Sequence, residues 1–597
     1  MRPARAFPAL ILLLAAAVHC PTAHAQVPEP GQLPGNTSFY LYWHGTPSGD
    51  IRKSNSLYAL WDDPDFASAR STWMESFWNE VQNNKPTAKS KAATDTTAPK
   101  QVSRPTLTRE EFAQYITLLD NPFVIGAMRE PEALAAKRAS GGTAAKDVPA
   151  WNGVYFIYDR WGKEELLSKA VLRMRGQNTS DIPKLTEITA AGVPALKIES
   201  KSGVSYWAEF GKHAVGAQEL SVFEQIIQLV NGKPAATTLA HSPAYEEAKP
   251  LLGGGVLEFF VAIPNLKDIA LESSSKAVPS AKPLLDAIKL DALHSLAGHV
   301  VLDGPKTHLE GAILGDTTPG SLFDIWADGL ANPASLPYVS PDTIYYSESQ
   351  FNLPGIYQTI KHAFQQGPQN SAQLFVALES MAQTRIGMPL PDALAVPSGE
   401  IAWLQTSPTF DDSQKLYLFG ITDKTSSLRL ARSLLGDRIS SEKNEGDATF
   451  LKISLGGTQS AAGIMQYNFY YLAVTPSLIF GSSRSDNIRK YLGQSQAADS
   501  PVSKNILGVR SKYPEKLNGF SYFDFQKVDW PALKAKWIAD AKKSADKAKS
   551  NEEADRQKKF GDWLAGVNPD VFPRHLHIMA GASWKDTKGV HFDEWLQ

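Results

Sequence analysis

The chain is almost without cysteine: Cys20 is the single one in 597 residues. It lies in an N-terminal stretch that reads as a processing signal, so cleavage beyond it leaves a cysteine-free mature chain. That excludes disulfides, cysteine-ligated zinc and a thiol nucleophile. It suits an oxidising exterior such as a periplasm, where a free thiol is a liability. An excess of one charge is lacking too. Lys and Arg number 60 against 62 Asp and Glu, for a net charge of −2. A nucleic-acid partner needs a clustered basic face, and no such footprint is present. Beyond the N-terminus no run approaches the roughly 18 apolar residues of a membrane span, so no transmembrane helix is expected in the mature chain. Catalytic signatures are missing as well. There is no G-x-S-x-G elbow, P-loop, H-E-x-x-H or EF-hand loop. No cofactor is implied. The triple glycine Gly253 to Gly255 precedes a strand, so it reads as a turn.

What is present is ordinary globular composition, 43% hydrophobic with 14 Trp and 26 Phe. The length points to two to four domains. At the N-terminus Arg2 and Arg5 precede the apolar run "PALILLLAAAV", and Ala23-His24-Ala25 fits a signal-peptidase site. A signal peptide over 1–25 is expected, hence export to the periplasm or beyond. Cys20 does not fit a lipoprotein anchor, because His19 stands where a small residue is needed. Asn36 and Asn178 match the N-x-S/T pattern, which is common by chance.

The chain also repeats itself. "SPAYEEAKPLLGGGVLEFFVAIPNL" from Ser242 has a counterpart in "SPVSKNILGVRSKYPEKLNGFSYFDFQKV" from Ser500. Each runs Ser-Pro, short helix, Gly-bearing turn, aromatic strand. Five further segments recur in the same order. They are Asn36 to Trp43 with Pro341 to Ser349, Leu118 to Met128 with Ala393 to Leu404, and Gly153 to Met174 with Lys415 to Gly436. Tyr206 to Gly232 pairs with Tyr471 to Gln494, and the closing hairpin Gly298 to Leu314 with Ala580 to Leu596. The reading is a tandem duplication, copy one over 34–330 and copy two over 337–597. Copy one carries insertions near 84–104, 135–148 and Ser273 to Pro283, poor in hydrophobic residues. Copy two carries "ADAKKSADKAKSNEEADRQKKF" (Ala539 to Phe560), which reads as one charged helix. The fold class expected is α+β: two homologous copies, each a mainly antiparallel sheet with helices packed on one face.

This order of parts resembles a family of exported bacterial proteins defined only as a domain of unknown function. The residues that carry the likeness are the opening turn Pro341-Asp342-Thr343, Gly481 to Ser483 ahead of a helix, the Ser500-Pro501 helix start and the strand Tyr522-Phe523-Asp524. The likeness covers nearly the whole mature chain, twice, through structural turns and caps. Copy one departs from it in a Trp-rich opening and in its insertions. The family has no established activity, so the resemblance transfers no functional residue.

Three constellations remain as candidate chemistry. Ser485-Asp486-Asn487, with S-x-x-K at Ser440, Ser273 and Ser544, matches two marks of penicillin-binding serine enzymes. K-T-G is missing, and Ser485 falls where a helix begins, so a helix cap is the stronger reading. The closing hairpin of copy one puts His299 opposite Glu310, with His308 on the same face, a possible divalent-metal set. Copy two has His591 and Asp593 at matching places but Ala582 opposite, which argues for a solvated sheet face. His575 and His577 have no third ligand in view. Finally, Tyr42, Trp43, His44, Trp61, Asp62 and Asp63 could form an aromatic, acidic binding surface. The competing reading buries Tyr40, Tyr42 and Trp61 in a core and makes Asp62-Asp63-Pro64 a cap for a helix bearing Trp73, Phe77 and Trp78.

The expectation is an exported envelope protein that binds an unidentified envelope ligand or protein partner, without catalysis, in a groove between copies. The alternatives are an extracytoplasmic hydrolase with its site in one copy, and a lipid or lipoprotein carrier. Converging carboxylates or imidazoles would favour the enzyme, and a long apolar cavity the carrier.

Overall fold

The computed structural model describes residues 27–47, 49–72, 74, 109–128, 153–177, 184–200, 203–265, 289–318, 320–367, 370–459, 465–493, 501–548 and 550–597. The signal segment, the insertions near 84–104, 135–148 and 273–283, and Trp73, Phe77, Trp78 and Asn178 lie outside the described residues.

Twenty strands form one sheet. In the first half these are β1 (Thr37–Trp43), β2 (Phe123–Met128), β3 (Gly153–Asp159), β4 (Lys184–Ala190), β5 (Val193–Ser200), β6 (Gly203–Phe210), β7 (His213–Ala217), β8 (Leu257–Ala262), β9 (Leu293–Asp303) and β10 (Lys306–Gly315). The second half has β11 (Tyr345–Gln350), β12 (Pro397–Gln405), β13 (Lys415–Ile421), β14 (Ile439–Glu445), β15 (Ala448–Gln459), β16 (Met465–Val474), β17 (Leu478–Ser482), β18 (Gly519–Asp524), β19 (Ile578–Lys585) and β20 (Gly589–Leu596). Every pairing among the described residues is antiparallel. The first half is ordered β4-β5-β6-β7-β3-β2-β1-β8-β9-β10. The second is ordered β14-β15-β16-β17-β13-β12-β11-β18-β19-β20. Adding ten to each strand number converts one order into the other. β10 pairs with β20, so the halves meet edge to edge with Glu310 directly opposite Asp593.

Short helices cover the sheet. In the first half they include α1 (Ser56–Asp62), α2 (Glu164–Gln177), α3 (Leu220–Val230) and α4 (Pro243–Ala248), besides Gly49–Ser54 and Arg109–Ile116. In the second they include α5 (Leu353–Gln366), α6 (Ser371–Ile386), α7 (Lys424–Leu435), α8 (Ser485–Gly493), α9 (Pro501–Arg510), α10 (Trp530–Asp546), α11 (Asn551–Gly566) and α12 (Val571–His575), besides Leu390–Ala395. Apolar spacing fixes the buried side of each. α3 turns Val222, Phe223, Ile226 and Ile227 toward β3, β6 and β7, with Phe223 on Tyr206, and α4 sets Tyr245 on Tyr40 and Phe260. α8 and α9 do the same with Ile488, Tyr491 and Ile506 over Tyr346, Phe520 and Trp595.

Helices on one face only is not what forms. Consecutive strand residues point to opposite faces. Trp595 belongs to the α8–α9 core, whereas its neighbour Leu596 packs with Leu57 and Trp61 of α1, Trp530 of α10 and Phe572 of α12. Likewise Tyr42 belongs to the core shared with α3 and α4, and Trp43 packs on the other side against Tyr58 of α1. The second helical layer comes from chain inserted between β1 and β2 and between β18 and β19, together with α2 and α7, which set Leu167 on Tyr158 and Leu428 on Ile421. Its apolar residues cover the face that α3, α4, α8 and α9 leave free.

The charged segment Ala539 to Phe560 is also two helices rather than one. Ser550 accepts a bond from the backbone N–H of Glu553 at 3.2 Å and starts α11 afresh. No helix among the described residues is long and apolar enough to cross a membrane.

Candidate functional site

The junction of the halves carries the densest set of interacting ionisable groups on the central sheet. The β9–β10 hairpin turns at Gly304, whose φ of +53° only glycine adopts freely. That turn sets the register His299 opposite Glu310, as the sequence leads one to expect. One cross-strand row then reads Tyr42 on β1, Glu258 on β8, His299 on β9, Glu310 on β10, Asp593 on β20 and Ala582 on β19. All six side chains share one face, because directly opposite residues in a sheet do.

The contacts alternate acid and imidazole. His44 Nε2 lies 2.8 Å from Glu258 Oε1, and that carboxylate is 4% exposed. The His299 ring is fixed by a 2.8 Å bond between Nδ1 and the Leu251 carbonyl, which turns Nε2 toward Glu310 at 3.9 Å. His308 Nε2 lies 2.9 Å from Asp593 Oδ1, and the Tyr513 hydroxyl donates to the same oxygen at 3.4 Å. Asp593 pushes the pKa of His308 up, against an opposing effect of burial. Burial first, and then the Asp593 charge, push up that of the Tyr513 phenol. His591 stacks flat on Trp584 with 5.3 Å between ring centres and reaches Asp586 at 3.1 Å. Lys306 and Lys512 place their ammonium groups 4.9 and 5.7 Å from the Trp595 ring. The floor is open to solvent, with the Glu310 side chain 40% and His308 29% exposed.

Among the described residues no group of three or more His, Cys, Asp or Glu could hold a metal ion. His308 turns to Asp593 rather than joining His299 and Glu310, so the three side chains do not converge on a point. His575 is committed to Asp63 at 2.7 Å. The arrangement can therefore accept hydrogen bonds, present negative charge and exchange protons.

Tyr42, Trp43, His44, Trp61, Asp62 and Asp63 do not form one surface. Tyr42 and Trp43 point to opposite faces and are 4% and 5% exposed. Trp43 donates its indole N–H to the Leu119 carbonyl at 2.7 Å. Tyr42 lies buried at the end of the junction row, and His44 reaches the row through Glu258. Trp61 is buried in the core shared with α10 and α12. Asp62 takes Arg52 in a bidentate pair at 2.7 and 2.8 Å. Asp63 caps the turn Pro64–Phe66 and binds Arg574 and His575 of the second half, each at 2.7 Å. Arg574 also reaches Asp65 at 2.8 Å.

Ser485 opens α8 as its first residue, and its hydroxyl accepts from Arg489 at 3.1 Å instead of capping. Asn487 donates to the Lys415 carbonyl and to Ser482 Oγ, each at 3.2 Å. Ser440 donates to the Lys452 carbonyl. These side chains hold turns together and do not meet as a nucleophile and base.

Sequence reasoning missed a buried network in the second half. Arg510 contacts Glu348 at 3.2 Å, and the two side chains are 8% and 6% exposed. Arg510 also donates to the carbonyls of Leu330 at 2.8 Å and Ala331 at 3.0 Å. Glu348 accepts from the Tyr346 hydroxyl. Glu400 accepts the backbone N–H groups of Ala334 and Ser335 at 2.9 and 2.8 Å. The segment entering the second half is thus bound to its core. The signal was available: in "YYSESQ" Glu348 holds the inward phase of a strand that also buries Tyr346.

One further cavity, of about 630 Å³, lies between α6 and α7 and is lined by Ser380, Gln383, Asp392 and Arg429 among others. Set beside known proteins, the chain matches no family model, no curated protein and no solved structure.

Proposed function

We propose that this is an exported cell-envelope protein, made of two tandem copies of one α+β unit, that works as a non-enzymatic scaffold holding a ligand or protein partner at the junction of the copies. The duplication rests on the matching strand order and on the six recurring segments. It places a pseudo-twofold axis between Glu310 and Asp593, residues that are each other's counterparts. Export rests on the signal-peptide pattern of residues 1–25. The observation that carries the binding role is the open acid–imidazole row across the junction. It presents polar, negatively charged groups on a rigid sheet. Each imidazole in it already faces a carboxylate rather than a hydroxyl nucleophile.

A second reading is an extracytoplasmic hydrolase. The meeting of His308 and Tyr513 at Asp593 favours it, since an imidazole beside a carboxylate can take a proton from water.

Native mass spectrometry of protein purified from its own envelope, beside a denatured control, tests the proposal. A bound mass lost on denaturation, and lost also from an Asp593→Asn/Glu310→Gln double variant, supports junction binding. A lipid mass that survives in that variant would make the protein a carrier with its site elsewhere. An apo mass together with turnover of envelope polymers would replace scaffold by enzyme.

A further inference from the structure

The junction is fastened on both faces of the sheet by an imidazole from one half against a carboxylate from the other. On the face under α3 and α9, His308 of β10 meets Asp593 of β20 at 2.9 Å. On the opposite face, His575 of α12 meets Asp63, which follows α1, at 2.7 Å. The His308 contact is an ion pair only while the ring carries a proton. We propose that the junction is an acid-tightened clamp, in which protonation of His308 draws the two halves together and deprotonation loosens them.

The charged and titratable surroundings set the direction. Around His308 stand Asp593 on β20, Glu310 and Lys306 on its own strand, His299 on β9, and Tyr513 and Lys512 from the segment after α9. With His308 neutral, Glu310 and Asp593 oppose each other across the β10–β20 ladder as two like charges, which is unfavourable. With His308 protonated, the three groups sum to −1 instead of −2 (two carboxylates, one imidazolium). Asp593 raises the pKa of His308, so the proton is kept above the ordinary imidazole range near 6.5. The stabilisation is therefore complete below that range and is lost as pH rises through the raised value. Around His575 the groups are Asp63 and the neighbouring Arg574, which also binds Asp65. On that face Arg574 keeps Asp63 paired, so His308 carries the response.

The clamp bears on function through the reading that the junction is the recognition surface. Its test needs no ligand, so the two ideas fail separately. Hydrogen exchange is measured on the full chain at about pH 6 and about pH 8.5, corrected for intrinsic exchange. The β10–β20 amides should open about two- to fivefold more readily at the higher pH, the range expected of a part-exposed ion pair. The β4–β5 hairpin, far from the junction, should not change. His308→Gln should abolish the difference. His308→Lys, permanently charged over this range, should keep the amides protected at both values. If the wild type shows no difference, or His308→Gln keeps it, the proposal is overturned. Should His308→Gln not fold, a His308→Lys protein that still shows the wild-type difference overturns it equally.

Discussion

Arg510→Met is the sharpest perturbation of the buried network, and its cost follows from the contacts it removes. The side chain is 8% exposed, and so no water replaces the guanidinium beside Glu348. Breaking one side of a buried pair costs about 3–5 kcal/mol, because the remaining charge is left unpaired. The Ala331 carbonyl loses its donor as well, at about 1 kcal/mol if it stays buried, whereas Leu330 keeps the Leu517 N–H at 3.3 Å. Met fills most of the volume, so cavity formation adds little. Glu348→Gln should cost less, since the amide still accepts from Tyr346 and Arg510 keeps both carbonyls. Glu348→Gln/Arg510→Met should cost less than the sum of the single changes by about 1–3 kcal/mol. Urea unfolding monitored by tryptophan fluorescence gives all three values. A pH series adds a second criterion. Burial raises the pKa of Glu348, with Tyr346 and Arg510 pulling it back. Without Arg510 the carboxyl rises further. Proton uptake then relieves the folded state at low pH, and the relief is lost as pH rises through the raised value. The Arg510→Met deficit should therefore shrink on acidification. An additive double variant, or a deficit that ignores pH, would refute this reasoning.

Further outcomes are expected elsewhere. Asp63→Asn removes the carboxylate shared by Arg574 and His575 and should cost about 1–3 kcal/mol by the same unfolding assay. Burial opposes ionisation of Asp63, but bonds from His575, the Asp65 N–H and Arg574 hold its carboxyl below the usual range. Its contribution is present above the ordinary aspartate pKa and lost as pH falls through the lowered one, so Asp63→Asn should flatten the acid limb of a stability profile. Gly589→Ala should destabilise by about 1–3 kcal/mol, because φ is +153° and a Cβ would sit 2.1 Å from the Ile313 carbonyl oxygen. Met381→Gln on α6, at 69% exposure, should leave the unfolding midpoint within about 0.5 kcal/mol of wild type.

Much of the fold was legible because its signals are local. Alternating apolar residues, Gly-bearing turns and helical spacing point to strands such as β1, β11 and β18 and to helices such as α3, and the Gly304 turn fixed the His299–Glu310 register. What was not legible depends on distant partners. Nothing in "KTHLEGAILG" says that its free edge meets "GVHFDEWL", so the place of Asp593 beside His308 was hidden. The alternation in "FYLYW" shows that Tyr42 and Trp43 face opposite ways, but not that helices cover both sides. Asp63 reads as a local cap, and it is one. Its partners Arg574 and His575 lie some 500 residues away in sequence.

The position of β20 has a consequence for how the chain becomes a folded object. It is the last of the twenty strands in chain order, yet it lies mid-sheet, against β10. β10 therefore keeps a bare edge, rich in Leu309 and Ile313, until all of the second half has been synthesised and β20 is in place. Contacts closed over so long a loop form slowly, and an unpaired apolar edge is prone to join another chain in the meantime. The outer strands meet that hazard with charge, Lys184 and Glu187 on β4 and Glu442, Lys443 and Glu445 on β14. The inner edge carries Lys306 and Glu310 on its first half, but Gly311 to Gly315 bear no charge, so for this protein an escort during the interval before β20 arrives would count for more than the stability of the finished sheet.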